Sequence, residues 1–186
     1  MTDREVVGLP NFKYHPDPVV TGAFVASDVE CKACGLARGW IYTGAVYCTE
    51  DLDNLICPWC INDGTAHSRF DAEFVDPEAV GGYGAWSSAP QSVVDEICFR
   101  TPSFSGWQQE RWFTHCNDAA LFMDCAGKTE LEELYPAVIE AIRLESGYDE
   151  DQWAYYFEQM DADYGPTAYL FRCLHCDVWG GYSDCA

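Results

Sequence analysis

The residues of this chain best suited to chemistry are two C-x-x-C pairs, Cys31-Lys-Ala-Cys34 and Cys57-Pro-Trp-Cys60, separated by the 22 residues at positions 35–56. Each pair can wrap an ion through a tight turn. Four thiolates brought together in this way match the tetrahedral preference of zinc. A closed four-cysteine site leaves no open coordination position, so the pattern predicts a structural metal rather than a reaction. Two other readings use the same residues. Cys57-Pro-Trp-Cys60 alone has the spacing of a redox dithiol, whose thiolate is acidified at a helix start. Disulfides or free buried thiols would also account for it. A second C-x-x-C just upstream favours metal.

A third pair, Cys173-Leu-His-Cys176, closes the chain and echoes the first. Cys34 is followed five and six residues on by Gly39 and Trp40, and Cys176 by Gly181 and Tyr182 at the same offsets. This weak internal repeat predicts another knuckle opening into a hairpin. One knuckle supplies two ligands, so two more must come from elsewhere. The candidates are Cys48, His115, Cys116, Cys125 and Cys185. Neighbours on an extended chain point apart, so His115 and Cys116 are not expected to reach one ion together. The preferred second set is Cys116, Cys173 and Cys176 with Cys48 as fourth ligand and His115 as its substitute. In the alternative reading, Cys173 and Cys176 hold no metal and the remaining thiols are buried as small hydrophobes. His15, His67 and His175 read as ordinary surface or packed histidines, and Glu130, Glu132 and Glu133 as a solvated helix face. No Gly-rich phosphate loop, nucleophile elbow or metalloprotease helix motif occurs.

The elements that must position these side chains can be read from pattern. Prolines 10, 16 and 18 predict an extended arm over Leu9 to Pro18, pinned by Phe12 and Tyr14. Trp40 to Tyr42 and Val46-Tyr47 flank Thr43-Gly44, a hairpin signal. Pro58 suits the first turn of a helix, and Ile61 to Phe70 can continue it. Knuckle, hairpin and helix together predict a treble-clef-like lobe at about 24–75, with a second knuckle at about 169–186, in a single domain spanning 1–186. Between them, Asp71 to Pro90 reads as loop and Gln91 to Arg100 as a helix ended by Pro102. A short helix is expected over Trp107 to Phe113, capped by Ser105, and a strand over Ala119 to Met123. Thr129 and Glu132 suggest a capping box for a helical region divided by Pro136 and stopped at Gly147. A further helix covers Asp149 to Met160, and Thr167 to Arg172 alternates as a strand. The expected fold class is α+β, a small antiparallel sheet with helices joined to the zinc lobe.

Composition narrows the function classes. The chain has 186 residues, 48% hydrophobic and 15% aromatic, which is ample for a packed core. Its formal net charge is −21, from 31 Asp plus Glu against 10 Lys plus Arg, and four-thiolate zinc sites would add to it. Phosphate binding needs a basic face, so nucleic acid is not an expected partner. The acidity suits a solvated surface or the capture of a basic protein. Met1 to Val7 carries charge and no apolar stretch, so no secretory signal is expected there, and no apolar run approaches the roughly 20 residues that span a bilayer. Eleven cysteines without an export signal read as metal ligands in a reducing cytoplasm.

With these residues in view, the chain resembles the CbrC family, small bacterial proteins named for colicin tolerance. The stretches that carry the resemblance are Leu-Pro-Asn-Phe-Lys-Tyr-His-Pro-Asp-Pro from Leu9 to Pro18, Tyr-Cys ending at Cys48, Cys-Pro-Trp-Cys-Ile-Asn-Asp-Gly from Cys57 to Gly64 and Arg-Thr-Pro from Arg100. Gly-Trp-Gln-Gln-Glu from Gly106, His-Cys-Asn-Asp from His115 and Tyr-Leu-Phe-Arg-Cys-Leu-His-Cys from Tyr169 complete them. The resemblance implies a role in tolerance of nuclease-type colicins. It is compatible with a non-catalytic binding protein whose acidic surface meets a basic toxin domain, as immunity proteins do by electrostatic steering. A thiol- or zinc-dependent enzyme or redox factor, working through an exposed thiol or the His115 and Asp118 region, is the alternative.

Overall fold

In the computed structural model, residues 8–186 are described, and the reading of Met1 to Val7 lies outside them. The arm follows the proline pattern: Phe12 and Tyr14 are both buried, and each joins a different core. Strand β1 (Phe24–Ala26) leads into the first cysteine pair and β2 (Trp40–Tyr42) leaves it, and the two strands pair antiparallel. The expected partner of β2, Val46-Tyr47, is not its neighbour, because Tyr47 bridges Glu73 instead. The first knuckle is therefore itself the connection of a hairpin.

Helix α1 (Pro58–Asn62) starts at Pro58 as expected, but the run to Phe70 is broken. Gly64 takes a left-handed φ of 78°, which glycine alone adopts without penalty, and α2 (Thr65–Phe70) begins after it. Helix α3 (Gln91–Arg100) follows the long loop.

The predicted helix over Trp107 to Phe113 is absent. Residues 110–114 run extended, with Trp112 bridging Val80 in parallel, so that Glu110, Trp112 and Thr114 are buried. Tertiary pairing overrides a weak local preference there. Strands β3 (Thr114–His115) and β4 (Asp118–Ala119) then form a tight hairpin, and β5 (Leu121–Ala126) continues the chain.

Helix α4 (Lys128–Glu133) is capped two residues earlier than Thr129 would have it, with the Glu130 carboxylate accepting from the Gly127 backbone N–H at 3.0 Å. A 3-10 turn at Pro136–Val138 leads to α5 (Ile139–Ser146), which ends at Gly147 with φ 69°. Helix α6 (Glu150–Glu158) is capped by Asp149. Strand β6 (Thr167–Arg172) runs between β5 and β7 (Trp179–Asp184), antiparallel to both.

The fold is thus mixed helices with small antiparallel sheets, the α+β class expected. Residues of β6 are buried from Thr167 to Phe171, and their alternation serves two cores. Tyr169 and Phe171 enter one that holds Phe104, Trp112 and Phe122. Ala168 and Leu170 enter another with Leu131, Ile142 and Trp153. A third core, around Phe24, Ile41, Tyr42 and Phe74, encloses Cys31, Cys57 and Cys60. Among the described residues, no helix is long and apolar enough to cross a membrane.

Candidate metal centres

The first centre is assembled by backbone contacts between the knuckle and the segment that carries the second pair. Gly35 N–H donates to Cys31 O at 2.7 Å and Cys31 N–H to Leu36 O at 3.0 Å, closing the turn. Lys32 N–H donates to Leu55 O at 2.8 Å, and from α2 the Arg69 guanidinium donates to Ala33 O. Cys57 stands at the N-cap of α1 and Cys60 in its first turn. As a result Cys34 Sγ lies 3.9 Å from Cys57 Sγ, and all four sulfurs lie within 4.8 Å of one another. Zinc–sulfur bonds of about 2.3 Å in tetrahedral array require sulfurs about 3.8 Å apart. Cys31, Cys57 and Cys60 are buried, and Cys34 is half-buried.

Four thiols this close oppose one another's ionisation. A hydrogen bond from Cys57 holds Cys31 down to about 4, against the cost of burial, and pushes Cys57 far up in turn. Burial and the Cys31 charge push Cys60 up to about 12. A divalent ion resolves that conflict, because it accepts all four as thiolates.

The second group of donors differs from the expected set in one residue. His115, Cys116, Cys173 and Cys176 bring their donor atoms within 4.8 Å of one another, and Cys48 is not among them. Cys48 packs against the first core with its thiol donating to Glu50 O at 3.0 Å. Cys125 lies in β5 and Cys185 beyond β7, outside both groups. The expectation that His115 and Cys116 diverge fails because the chain is not extended at that point. Cys116 and Asn117, with φ of 53° and 60°, form the two-residue loop between β3 and β4, both left-handed as a type I′ hairpin requires. The turn swings Cys116 back over its own strand, so His115 Nδ1 lies 3.2 Å from Cys116 Sγ, 3.4 Å from Cys173 Sγ and 3.4 Å from Cys176 Sγ. Cys116 Sγ is 3.8 Å from Cys176 Sγ. These separations suit three sulfurs and one nitrogen around a common ion, for which nitrogen–sulfur distances of about 3.5 Å are expected.

Cys173 and Cys176 occupy the connection between β6 and β7, closed by Cys173 N–H donating to Val178 O at 2.9 Å. Both knuckles are therefore themselves hairpin connections, rather than opening into a hairpin as expected, and Gly39 turns the chain at φ 84° while Gly181 lies inside β7. Backbone and imidazole hydrogen bonds outweigh burial at Cys173 and hold it down to about 6. Unlike the first, this centre faces solvent: Cys116 is exposed and His115 and Cys176 are half-buried.

Asp118 holds the second knuckle in place. Its carboxylate accepts from the buried Tyr14 hydroxyl at 2.6 Å, from Lys13 Nζ at 3.1 Å and from the Ala119 N–H at 2.9 Å, and it contacts His175 Nε2 at 2.8 Å. His175, exposed within the knuckle turn, is thus a tether rather than a ligand. His67 stacks on Phe99, with ring centres 3.8 Å apart, and His15 is fully buried. Neither belongs to a cluster, as the sequence suggests. The arm's part in this network is not legible from spacing, since Lys13 and Tyr14 lie more than 100 positions from Asp118.

The two groups are compatible with metal binding, and the known proteins that the chain is similar to are bacterial. It is 46% identical over 181 residues to UPF0167 proteins of Mycobacterium bovis and of Mycobacterium tuberculosis, covering 96% of this chain and 94% of each relative. A UPF0167 protein of Pseudomonas aeruginosa is 37% identical over 169 residues, covering 90% of this chain and 92% of the relative. No solved structure matches the chain. The model of the uncharacterised protein family UPF0167 matches residues 9–185, a span that takes in the arm and every donor of both centres, and the chain belongs to the UPF0167 family.

Proposed function

We propose that this is a zinc-binding protein with two structural centres, and that it works by binding a basic protein rather than by catalysis. The observation that carries the reading is the gathering of eight soft or borderline donors into two full four-donor sets of tetrahedral size. Thiolate and imidazole donors in that geometry favour zinc over harder ions, and a full set leaves no position for substrate or activated water. The centres are Cys31, Cys34, Cys57 and Cys60, and His115, Cys116, Cys173 and Cys176. Each staples a hairpin to a distant segment.

The partner is argued from charge. At −21, the chain attracts cationic surfaces and repels phosphate backbones. The resemblance to the CbrC family supplies a direction, tolerance of nuclease toxins, whose nucleic-acid-binding domains are basic. A cytoplasmic site of action suits so many free thiols.

Metal analysis of freshly purified protein is expected to give two zinc ions per chain, one in His115→Ala and one in Cys31→Ser. Immobilised protein is expected to retain a basic nuclease domain at low salt and release it as salt rises. One zinc in the wild type would remove the second centre, and no retention at low ionic strength would remove the partner.

A further inference from the structure

Arg111 is one of 10 cationic side chains in the chain, yet it is not spent on the surface. Its side chain is 25% exposed and its ion-pair partner Glu145 17% exposed, with Nη1 donating to Glu145 Oε1 at 2.6 Å. The guanidinium carbon lies 4.2 Å from the ring centre of Tyr182, 5.3 Å from that of Tyr83 and 5.4 Å from that of Trp86. Of five N–H donors, only one has a hydrogen-bond partner among the described residues, and the Glu145 Oε2 atom has none. Among the described residues no buried side-chain nitrogen or oxygen is left unsatisfied, so these spare groups are the ones open to solvent-filled space.

That space is a cavity of about 430 Å³ between the 83–86 loop, strand β3 with its lead-in, and α5. Alternate residues Arg111, Phe113 and His115 face it from one side, as the period of an extended chain dictates. Trp86 meets Phe113 edge to face at 5.3 Å and gives the cavity an aromatic wall. Gly180 and Gly181 add bare backbone to the lining, and the Phe113 ring packs directly on Gly180, where a Cβ would enter it. The volume falls within the range of small-molecule sites, and the make-up, mostly apolar with a few convergent polar groups, is theirs too.

We infer that this cavity binds an uncharged planar heterocycle with two adjacent acceptors on one edge and N–H donors on the next, a purine base of the guanine type. Such a base stacks on the half-buried Trp86 and meets Phe113 only at its edge, since the two rings stand at 86° to one another. Its adjacent acceptors match the two-pronged guanidinium, and its ring and exocyclic N–H groups match the second oxygen of Glu145. Charge decides against an anion: Arg111 and Glu145 cancel locally, and the chain as a whole stands at −21. The inference goes beyond the zinc and basic-partner reading and does not depend on it, except that His115 must keep its place.

Titration calorimetry of zinc-loaded full chain with guanosine tests it. One saturable site per chain is expected, with a dissociation constant on the order of tens to hundreds of micromolar for a ligand of this size. Guanosine monophosphate is expected to bind about tenfold more weakly at low salt, with the gap narrowing as salt rises. Arg111→Lys keeps the charge but loses the fork, and a weakening of about tenfold is expected. On the wild-type chain, amide and indole shifts should be confined to residues 83–86, 111–115, 141–145 and 180–181. Should the variant fail to fold, that map decides alone. Absence of binding at millimolar guanosine, shifts elsewhere, a monophosphate that binds as tightly as the nucleoside at low salt, or an unaffected Arg111→Lys would each overturn the inference.

Discussion

The Tyr14 hydroxyl donates to Asp118 Oδ1 at 2.6 Å across 104 positions of sequence, and the same carboxylate contacts His175 inside the second knuckle. The arm thereby ties itself to the second candidate metal centre. Asp118 is 8% exposed and Tyr14 1%, so water can replace neither partner. Asp118→Ala leaves a buried hydroxyl donor unpaired and frees the knuckle turn, at an expected cost of about 2–4 kcal/mol. Chelator-driven zinc release should speed up about tenfold at the second centre and stay unchanged at the first. Stopped-flow release with a chromogenic chelator resolves the two phases, and equal acceleration of both would refute the tether.

His15 predicts a pH dependence. Its ring is fully buried, with Nδ1 donating to Pro102 O at 2.8 Å and Nε2 lying 2.6 Å from the Thr21 hydroxyl, which is itself within donating reach of Asp17 O. Burial lowers its pKa from 6.5 to about 4, with the Pro102 carbonyl and Asp17 resisting. The unfolded chain therefore takes up the proton first. The contribution is whole above pH 6.5 and falls by about 3 kcal/mol as pH drops towards 4. Guanidinium unfolding at saturating zinc across pH 7 to 5 should show a shallower loss in His15→Gln than in the wild type. Parallel curves would dismiss the claim.

Gly181 sits inside β7, where alanine would ordinarily gain a few tenths of a kcal/mol or more. A Cβ there, however, would stand 2.5 Å from the Tyr169 carbonyl oxygen of the neighbouring strand, and backbone cannot rotate away. Gly181→Ala is expected to destabilise by about 2 kcal/mol, read as a lower midpoint in urea. An unchanged or raised midpoint would show that β6 and β7 have room to part.

Thiol chemistry should separate the cysteines by environment. Burial pushes Cys98 up to about 12, helped by Glu73, Asp76 and Asp95, and its side chain is inaccessible. In a maleimide time course followed by peptide mapping, Cys98 should react only on global unfolding. With zinc bound, both clusters should be protected; after chelation, the exposed Cys116 should label first. Rapid labelling of Cys116 in zinc-loaded protein would mean that it is not a ligand.

What the sequence determined by itself is local. Cys31, Cys34, Cys57 and Cys60 announce a metal site through spacing, because a C-x-x-C turn presents two thiols whatever surrounds it. Gln91 to Arg100, Asp149 to Met160 and Thr167 to Arg172 were legible because periodicity, caps and breakers all act within one turn or one strand. Tertiary structure decided whatever needs a partner distant in sequence. Nothing near Trp40 says that Phe24–Ala26 is its neighbour, and nothing near Trp107 says that Ala79 and Val80 draw the chain out straight. The fourth donor of the second group depends on two left-handed residues, Cys116 and Asn117 at φ 53° and 60°, held in a two-residue turn by the pairing of His115 with Asp118. A rule for extended chain therefore selected Cys48, whereas the folded backbone selected His115.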